Sequence, residues 1–219
     1  MTDQAKEQLA QISEIRDMMK ESSQFLSLSG LSGVFAGIYA LLGAWIVRTD
    51  FIELMAPNAL DSIRYAQDGL TIGNLMFKVT YFLIVGASVL GASLVTGFFL
   101  TARKAKKNKR KLFDSAAKKL LLNLFIPLTL GGVFCLALIK QGYIGAVAPA
   151  TLVFYGAALL NAGKYTYRDI RYLGICEMTL GAISMFNIGY GLYFWAFGFG
   201  VLHIIYGAWM YFKYDLKKK

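Results

Sequence analysis

The chain has 219 residues and a formal net charge of +10, with 57% hydrophobic and 16% charged residues. Soluble domains carry about 25% charged residues, and so apolar a chain has too little polar surface to cover a water-soluble core. The composition therefore excludes a cytosolic globular domain and predicts an all-α integral membrane protein, but it specifies no substrate and no reaction.

Residues 1–24 predict an amphipathic helix on the cytoplasmic side of the membrane or at its interface. Apolar side chains fall on one half of this helix, and most of the charges lie elsewhere. The helix either rests on the inner leaflet or docks on a partner helix, and the pattern leaves both open. The apolar positions are Leu9, Ile12, Ile15, Met18 and Met19.

Apolar runs long enough to cross a bilayer fill most of the remaining chain. A transmembrane helix needs about 20 mainly apolar residues. Four runs are free of charge, and a fifth, residues 172–212, is long enough for two spans and has a turn signal at residues 187–191. We therefore predict six transmembrane helices in one membrane domain, residues 25–214. The spans cover about residues 25–47, 77–101, 120–139, 143–163, 172–188 and 193–212.

Lysine and arginine residues alternate between the predicted loops in the pattern that sets membrane orientation. Positively charged loops resist translocation and stay in the cytoplasm. With the amino terminus inside, the cytoplasmic side holds 19 of the 23 Lys and Arg residues. We therefore predict that both termini are cytoplasmic. The inner side includes a basic loop at residues 103–119 and a basic tail at residues 215–219.

The basic loop is the densest charged feature. Its positive charge explains the orientation by itself, but clusters of about four to eight Lys or Arg beside a span also bind anionic headgroups, at about 1 kcal/mol per residue. We predict contacts with membrane lipids or with a partner protein. We predict no nucleic-acid partner, because no recognition fold accompanies the charge. The residues predicted for these contacts are Lys106, Lys107, Lys109, Arg110 and Lys111.

A row of small residues marks a packing face on the first span. Ser29, Gly33 and Gly37 recur at every fourth position. Small residues in such rows let helix backbones approach closely, because helix association in lipid depends on packing. The face meets either another span of the same chain or a second copy in a homo-oligomer, and the row does not distinguish the two.

Glu177 and His203 are, apart from Cys and Tyr, the only ionisable residues well inside the predicted hydrocarbon. Measured from inner-surface anchors at Arg171 and Lys213, they lie about 9 and 15 Å deep at 1.5 Å per residue. They are therefore close enough in depth to form an intramembrane polar pair. Three interpretations follow: a hydrogen-bonded pair that fixes helix packing, a proton or cation relay, or a Glu177 that reaches the interface alone.

One pattern resembles the rhomboid intramembrane proteases. Residues 30–33 read Gly-Leu-Ser-Gly, which matches GxSG, and His203 lies on the last predicted span. In that family the serine belongs to the fourth span, whereas Ser32 lies on the first. We predict no catalytic residue, no cofactor and no metal site, because a single histidine is too few for the metal-dependent membrane oxygenases and desaturases.

The start of the membrane domain carries a second resemblance. Residues 21–47, ESSQFLSLSGLSGVFAGIYALLGAWIV, follow a charged amphipathic leader. This segment is similar to the start of a group of small, uncharacterised bacterial inner-membrane proteins. The resemblance implies a multi-span protein of the bacterial inner (cytoplasmic) membrane and carries no active site.

Three functions are compatible with these patterns. We expect a non-catalytic polytopic membrane protein that engages lipid or a partner protein through its cytoplasmic helix and basic loop. The first alternative is a small proton- or cation-coupled transporter or channel that uses Glu177 and His203. The second alternative, an intramembrane serine hydrolase, requires Ser32 to lie beside His203.

Overall fold

The structure is a computed structural model that describes residue 12 and residues 28–54, 72–109 and 113–216, with side chains for residues 12, 28–48, 79–109 and 113–216. These residues form helices with short connections and contain no strand. The all-helical class predicted from the composition is therefore confirmed. The helices are α1 (Gly30–Leu54), α2 (Ile72–Lys107), α3 (Ser115–Lys140), α4 (Val147–Ala162), α5 (Asp169–Met185) and α6 (Gly191–Leu216).

Five helices in the described ranges are long and apolar enough to cross a membrane. They are α1, α2, α3, α4 with the turn before it, and α6. Helix α5 has 17 residues. At 1.5 Å per residue it rises about 26 Å, against a hydrocarbon thickness of about 30 Å. The described residues therefore provide five candidate spans, one fewer than the six predicted.

Successive helices run in opposite directions, so the bundle has two ends. At one end, here called the basic end, the Lys104 ammonium near the end of α2 donates to the carbonyl oxygen of Leu28, just before α1, at 2.6 Å. Asp215, near the end of α6, lies 2.5 Å from the same ammonium. At the opposite end, the far end, Val47 of α1 packs in one cluster with Leu192 of α6.

Two close crossings at glycines form the centre of the bundle. Helix α1 crosses α6, where a Cβ placed on Gly207 would lie 2.5 Å from the backbone nitrogen of Val34. Helix α4 crosses α5, where a Cβ placed on Gly156 would lie 2.5 Å from the carbonyl oxygen of Gly174. Because glycine has no side chain, the backbones approach closely and gain the van der Waals contacts on which helix association in lipid depends.

Helices α2 and α3 lie on the outside of the bundle. Helix α2 packs chiefly against α1, where the Tyr39 hydroxyl is 3.1 Å from Thr96 Oγ1, and α3 packs against α4. Their outer faces carry large apolar side chains such as Val95, which is 72% exposed, and Leu122, which is 63% exposed. Soluble monomers rarely expose apolar surface of this extent, whereas the hydrocarbon of a bilayer would cover it.

The segment 103–119, predicted as a basic loop, is helical at both ends. Helix α2 continues into it and α3 begins within it, which leaves residues 108–114 as the connection. Lysine and arginine are good helix formers, and cations in a last helical turn interact favourably with the helix dipole. Asp114 caps α3 by accepting a hydrogen bond from the backbone nitrogen of Ala117 at 2.7 Å. The positions of the charged residues therefore do not indicate where α2 ends and where α3 begins.

Several predicted features lie outside the described residues. They include the amphipathic helix at residues 1–24, apart from Ile12, which is helical and exposed. They also include the contact residues Arg110 and Lys111, and residues 217–219 of the basic tail. The first two residues of that tail belong to the last turn of α6.

Candidate functional site

The turn between α5 and α6 brings Glu177 and His203 to a similar depth. Gly189 in this turn has a φ of +108°, a conformation that L side chains rarely adopt and that glycine adopts freely. The chain reverses there, so α5 and α6 run antiparallel and in contact. This reversal overlaps the turn predicted at residues 187–191.

Glu177 and His203 meet in the bundle interior, and Tyr155 of α4 completes the group. Glu177 is wholly buried and His203 is 6% exposed. His203 Nδ1 lies 3.3 Å from Glu177 Oε1, and His203 Nε2 lies 2.8 Å from the Tyr155 hydroxyl. These three residues, the interior triad, form a line from α4 through α6 to α5, with the imidazole in the middle.

Sequence reasoning did not identify Tyr155. It is one of 13 tyrosines. It contacts His203, 48 positions along the chain, only because the fold places α4 beside α6. Its one local signal is a hydroxyl in the middle of a charge-free apolar run, where a polar group needs a partner.

The hydrogen bonds assign the proton of the His203 ring. Nδ1 lies 3.0 Å from the carbonyl oxygen of Gly198. A carbonyl oxygen can only accept, so we assign the ring proton to Nδ1. In the neutral imidazole, Nε2 then accepts a hydrogen bond from the Tyr155 hydroxyl, and in the imidazolium Nε2 donates to the same oxygen. Tyr155 suits both states because a hydroxyl is a donor and an acceptor.

Glu177 is the costly member of the interior triad. Neither carboxyl oxygen accepts a hydrogen bond from any described residue, although the imidazole lies close by. A carboxylate at the bilayer centre costs about 2.5–3.5 kcal/mol even on scales from insertion experiments. A neutral acid beside a neutral imidazole, or a carboxylate beside an imidazolium, leaves the pair without net charge. Either arrangement lowers the cost of burying Glu177.

The α6 backbone beside the interior triad departs from an α-helix. Ala196–Leu202 forms π-helical turns, which are rare and are frequently found at functional sites. Gly198 in this segment lies against the carboxyl group of Glu177, and a Cβ placed there would overlap Oε2 and lie 2.6 Å from Leu152 Cδ2. Glycine is therefore the residue that lets α6 approach Glu177 this closely.

A second buried polar group lies on α5 toward the far end. Ser184 is wholly buried, and its hydroxyl has no hydrogen-bond partner among the described residues. It follows Glu177 by seven residues, which puts it on the same helix face and about 10 Å nearer the far end. Asp169, the first residue of α5, is also buried and pairs with Lys213 at 3.0 Å. Helix α5 thus carries buried polar side chains at three depths.

The packing face predicted from Ser29, Gly33 and Gly37 lies against α6 of the same chain. A Cβ placed on Gly37 would lie 2.6 Å from a backbone carbonyl oxygen of α6, and a Cβ on Gly33 would lie 3.1 Å from Gly207 Cα. Ser29 precedes the crossing, and its hydroxyl donates to Asp215 at 3.3 Å. Of the two partners that the row leaves open, the structure places a span of the same chain against it.

An ion-pair network joins the helix ends at the basic end. The Lys104 ammonium contacts Asp215 and lies 3.3 Å from the Tyr167 hydroxyl and 5.2 Å from the centre of the Tyr167 ring. Asp215 also accepts a hydrogen bond from the backbone nitrogen of Gly30 at 3.2 Å. Sequence reasoning treated Lys104 only as part of the basic loop and overlooked Asp215. The available signal was that Asp215 is the one acid among the lysines of residues 213–219.

At the basic end, where α2 ends and α3 begins, the other described cations are exposed. Lys106, Lys107 and Lys109, which were predicted to contact lipid or a partner, belong to this group. Within the described ranges, no carboxylate forms an ion pair with any member of it. The exposed cations, as we call the group, are Arg103, Lys106, Lys107, Lys109, Lys118 and Lys119.

Ser32 and His203 do not form a catalytic pair. The Ser32 hydroxyl donates to the carbonyl oxygen of Ser29 at 2.5 Å, and its side chain lies toward Gly97 of α2. Both nitrogens of His203 contact other groups. The geometry on which the hydrolase alternative depends is therefore not formed by these two residues.

The described part of the chain contains no group of three or more His, Cys, Asp or Glu placed to hold a metal ion, and Cys135 and Cys176 are free thiols. Comparison of the chain with protein-family models, with curated proteins and with solved structures found no match. The two resemblances therefore rest only on residues 21–47 and on residues 30–33 with His203. Function has to be inferred from the geometry.

Proposed function

We propose that the protein is a non-catalytic, multi-pass protein of a bacterial inner membrane that binds anionic lipid headgroups at its basic end. In this proposal all six helices cross the membrane and both termini lie in the cytoplasm. Helix α5 has only 17 residues. About 17 residues is the lower limit for a span, and α5 runs from the basic end to the far end between two candidate spans.

The distribution of charge supports this orientation. The basic end carries the exposed cations, and Lys164, Arg168 and Lys213 also lie at helix ends on that side. Loops rich in Lys and Arg remain on the cytoplasmic side during insertion. The basic end therefore faces the cytoplasm in this proposal, and the far end faces outward.

The exposed cations are the observation that carries the lipid-binding proposal. They lie at the ends of α2 and α3, directly beyond the apolar faces that hydrocarbon would cover. In the proposed orientation they lie at the depth of lipid headgroups. Lys104 in the same segment forms an ion pair with Asp215, so it does not belong to the exposed cations. Cations at this depth, without carboxylate partners in the described residues, favour phosphate headgroups, at about 1 kcal/mol each.

The proposed topology makes a direct prediction for cysteine labelling. With Cys135 and Cys176 replaced, a cysteine at Ser62 should react with a membrane-impermeant thiol reagent added to intact cells. A cysteine at Asn108, in the connection between α2 and α3, should react only after permeabilisation. The reverse pattern would place the basic end outside the cell, and labelling of neither site would contradict the six-span arrangement.

Removing cations from the basic end should release bound anionic lipid. A variant with Lys106, Lys107, Lys109, Arg110 and Lys111 changed to glutamine loses five charges. At about 1 kcal/mol, each charge corresponds to about a fivefold change in affinity. We expect the detergent-purified variant to retain far less phosphatidylglycerol than the unmodified protein, measured by native mass spectrometry. The remaining retention should also depend less on salt concentration.

The matched control changes the four cations of the predicted outer loops, Arg48, Arg64, Lys78 and Lys140, to glutamine. This control should keep its phosphatidylglycerol, because these residues belong to the predicted outer loops. Equal lipid retention in both variants, with normal insertion, would contradict lipid binding and leave a partner protein as the ligand of the exposed cations.

A further inference from the structure

We propose that the protein also moves protons across the membrane, with the interior triad as the site that holds the proton midway. Glu177 and Ser184 are both wholly buried on one face of α5, and neither side chain has a hydrogen-bond partner among the described residues. Buried polar groups normally have partners, because an unmade hydrogen bond is costly. A pair whose only role was to fix helix packing would give the carboxyl oxygens of Glu177 hydrogen-bond partners. It would also not need a second unpaired polar side chain, Ser184, two turns further along α5. This activity does not depend on lipid binding at the basic end.

The packing around Glu177 selects the proton as the transported species. A Cβ placed on Gly198 would overlap Glu177 Oε2 and would lie 2.6 Å from Leu152 Cδ2 and 3.1 Å from Leu180 Cδ2, so this side of the carboxyl group has no room for a further atom. A metal cation needs several ligands around it, and the described residues place no group of three or more His, Cys, Asp or Glu side chains here that could hold one. A groove of about 360 Å³ lies between α1 and α2, but none of the triad residues lines it. A proton needs no cavity of its own.

The two nitrogens of His203 connect the two other members of the interior triad. A proton that arrives through the Tyr155 hydroxyl forms the Nε2–H bond, and the ring becomes imidazolium. The Nδ1–H bond then breaks as that proton passes to Glu177 Oε1, 3.3 Å away. The ring is neutral again, and Glu177 is a neutral acid. To complete the cycle, Glu177 releases its proton toward the far end and becomes a carboxylate again. The ring then loses the proton on Nε2 to a water molecule and takes one from water on Nδ1, the position favoured by the carbonyl oxygen of Gly198, which can only accept.

Polar groups continue from the interior triad toward both ends of the bundle. On the basic side, Tyr155, Tyr206 and Tyr214 all pack against one buried cluster, and the Tyr206 hydroxyl lies 3.8 Å from Cys176 Sγ. On the far side, the next polar group along the same face of α5 is Ser184. The gaps between these groups exceed hydrogen-bond length, so transfer requires water or a movement of α6. The π-helical segment Ala196–Leu202, with glycines at 198 and 200, is the part of α6 best suited to such a movement.

Proton flux into vesicles tests the proposal. The protein is reconstituted into phosphatidylcholine vesicles that enclose a pH-sensitive dye, with potassium and valinomycin holding the membrane potential. We expect flux above that of empty vesicles for the unmodified protein and flux at the empty-vesicle level for Glu177→Gln. Glu177→Asp, which keeps the acid, should retain part of the flux. Ser184→Ala should lower the flux, whereas Ser88→Ala should not, because Ser88 is exposed on α2 and bonds its own helix.

The histidine signal separates loss of transport from loss of folding. His203 is the only histidine, so ¹⁵N-histidine labelling of a protein without a histidine tag reports on the interior triad alone. Lost flux with a retained, shifted His203 signal supports the proposal. Flux of the unmodified protein equal to that of empty vesicles overturns it, as does undiminished flux in Glu177→Gln. If Glu177→Gln does not fold, Tyr155→Phe decides, because undiminished flux without that hydroxyl overturns the relay.

Discussion

Gly207→Ala should strongly destabilise the detergent-purified protein. A Cβ on Gly207 would lie 2.5 Å from the nitrogen of Val34, 2.8 Å from the oxygen of Gly30 and 2.9 Å from the carbonyl carbon of Gly33. All three are backbone atoms of α1, which cannot rotate away as a side chain can, so α1 and α6 would have to separate. Overpacking a core costs about 1–3 kcal/mol, and we expect a loss at or above the upper value. Thermal unfolding and size-exclusion chromatography in detergent measure it.

The matched control is Gly91→Ala on α2. A Cβ on Gly91 would meet nothing within 4 Å. Alanine also favours a helix over glycine by about 1 kcal/mol, so this variant should be as stable as the unmodified protein or more so. Equal stability of the two variants would mean that α1 and α6 do not cross at Gly207.

Helices could be predicted from this sequence because a bilayer allows few alternatives. An apolar segment in hydrocarbon must satisfy its backbone hydrogen bonds internally, so long charge-free runs imply helices. The ends of the helices were harder to predict. The cations from which we predicted the orientation also continue α2 through Lys107, since lysine is compatible with a helix and its long side chain can reach lipid headgroups. Counting charges therefore predicts an orientation, but it does not predict where these helices end.

The candidate site could be predicted only in part, because its contacts cross between helices distant in sequence. The antiparallel arrangement of α5 and α6 follows from one short turn, and this was enough to relate Glu177 to His203. Nothing local relates His203 to Tyr155, because that contact depends on how α4 packs beside α6. The row of Ser29, Gly33 and Gly37 likewise predicted a packing face, but its partner depends on the glycines of α6. Local patterns predict which surfaces pack, and the fold determines what they meet.

The second large effect is expected from separating Glu177 and His203. His203→Ala removes the imidazole from Glu177 Oε1 and from the Tyr155 hydroxyl together. Removing one partner of a buried pair costs about 3–5 kcal/mol, because the other remains buried and uncompensated. Glu177→Gln should cost less, about 1–3 kcal/mol, because it keeps the volume and leaves a neutral amide in place of the acid. Both costs would be measured as losses in free energy of unfolding in detergent.

The double variant tests whether the two residues act as a pair. If they do, Glu177→Gln with His203→Ala should lose less stability than the sum of the single variants, by more than about 0.5 kcal/mol. The control cycle combines Glu177→Gln with Cys135→Ala. The Cys135 side chain packs against Val147 and Ala150 between α3 and α4. Those two changes should add within about 0.5 kcal/mol, since separated sites behave independently. If the stability losses of Glu177→Gln and His203→Ala were also additive, the two side chains would not be energetically coupled, although His203 Nδ1 lies 3.3 Å from Glu177 Oε1. The proton relay would then lack its central step.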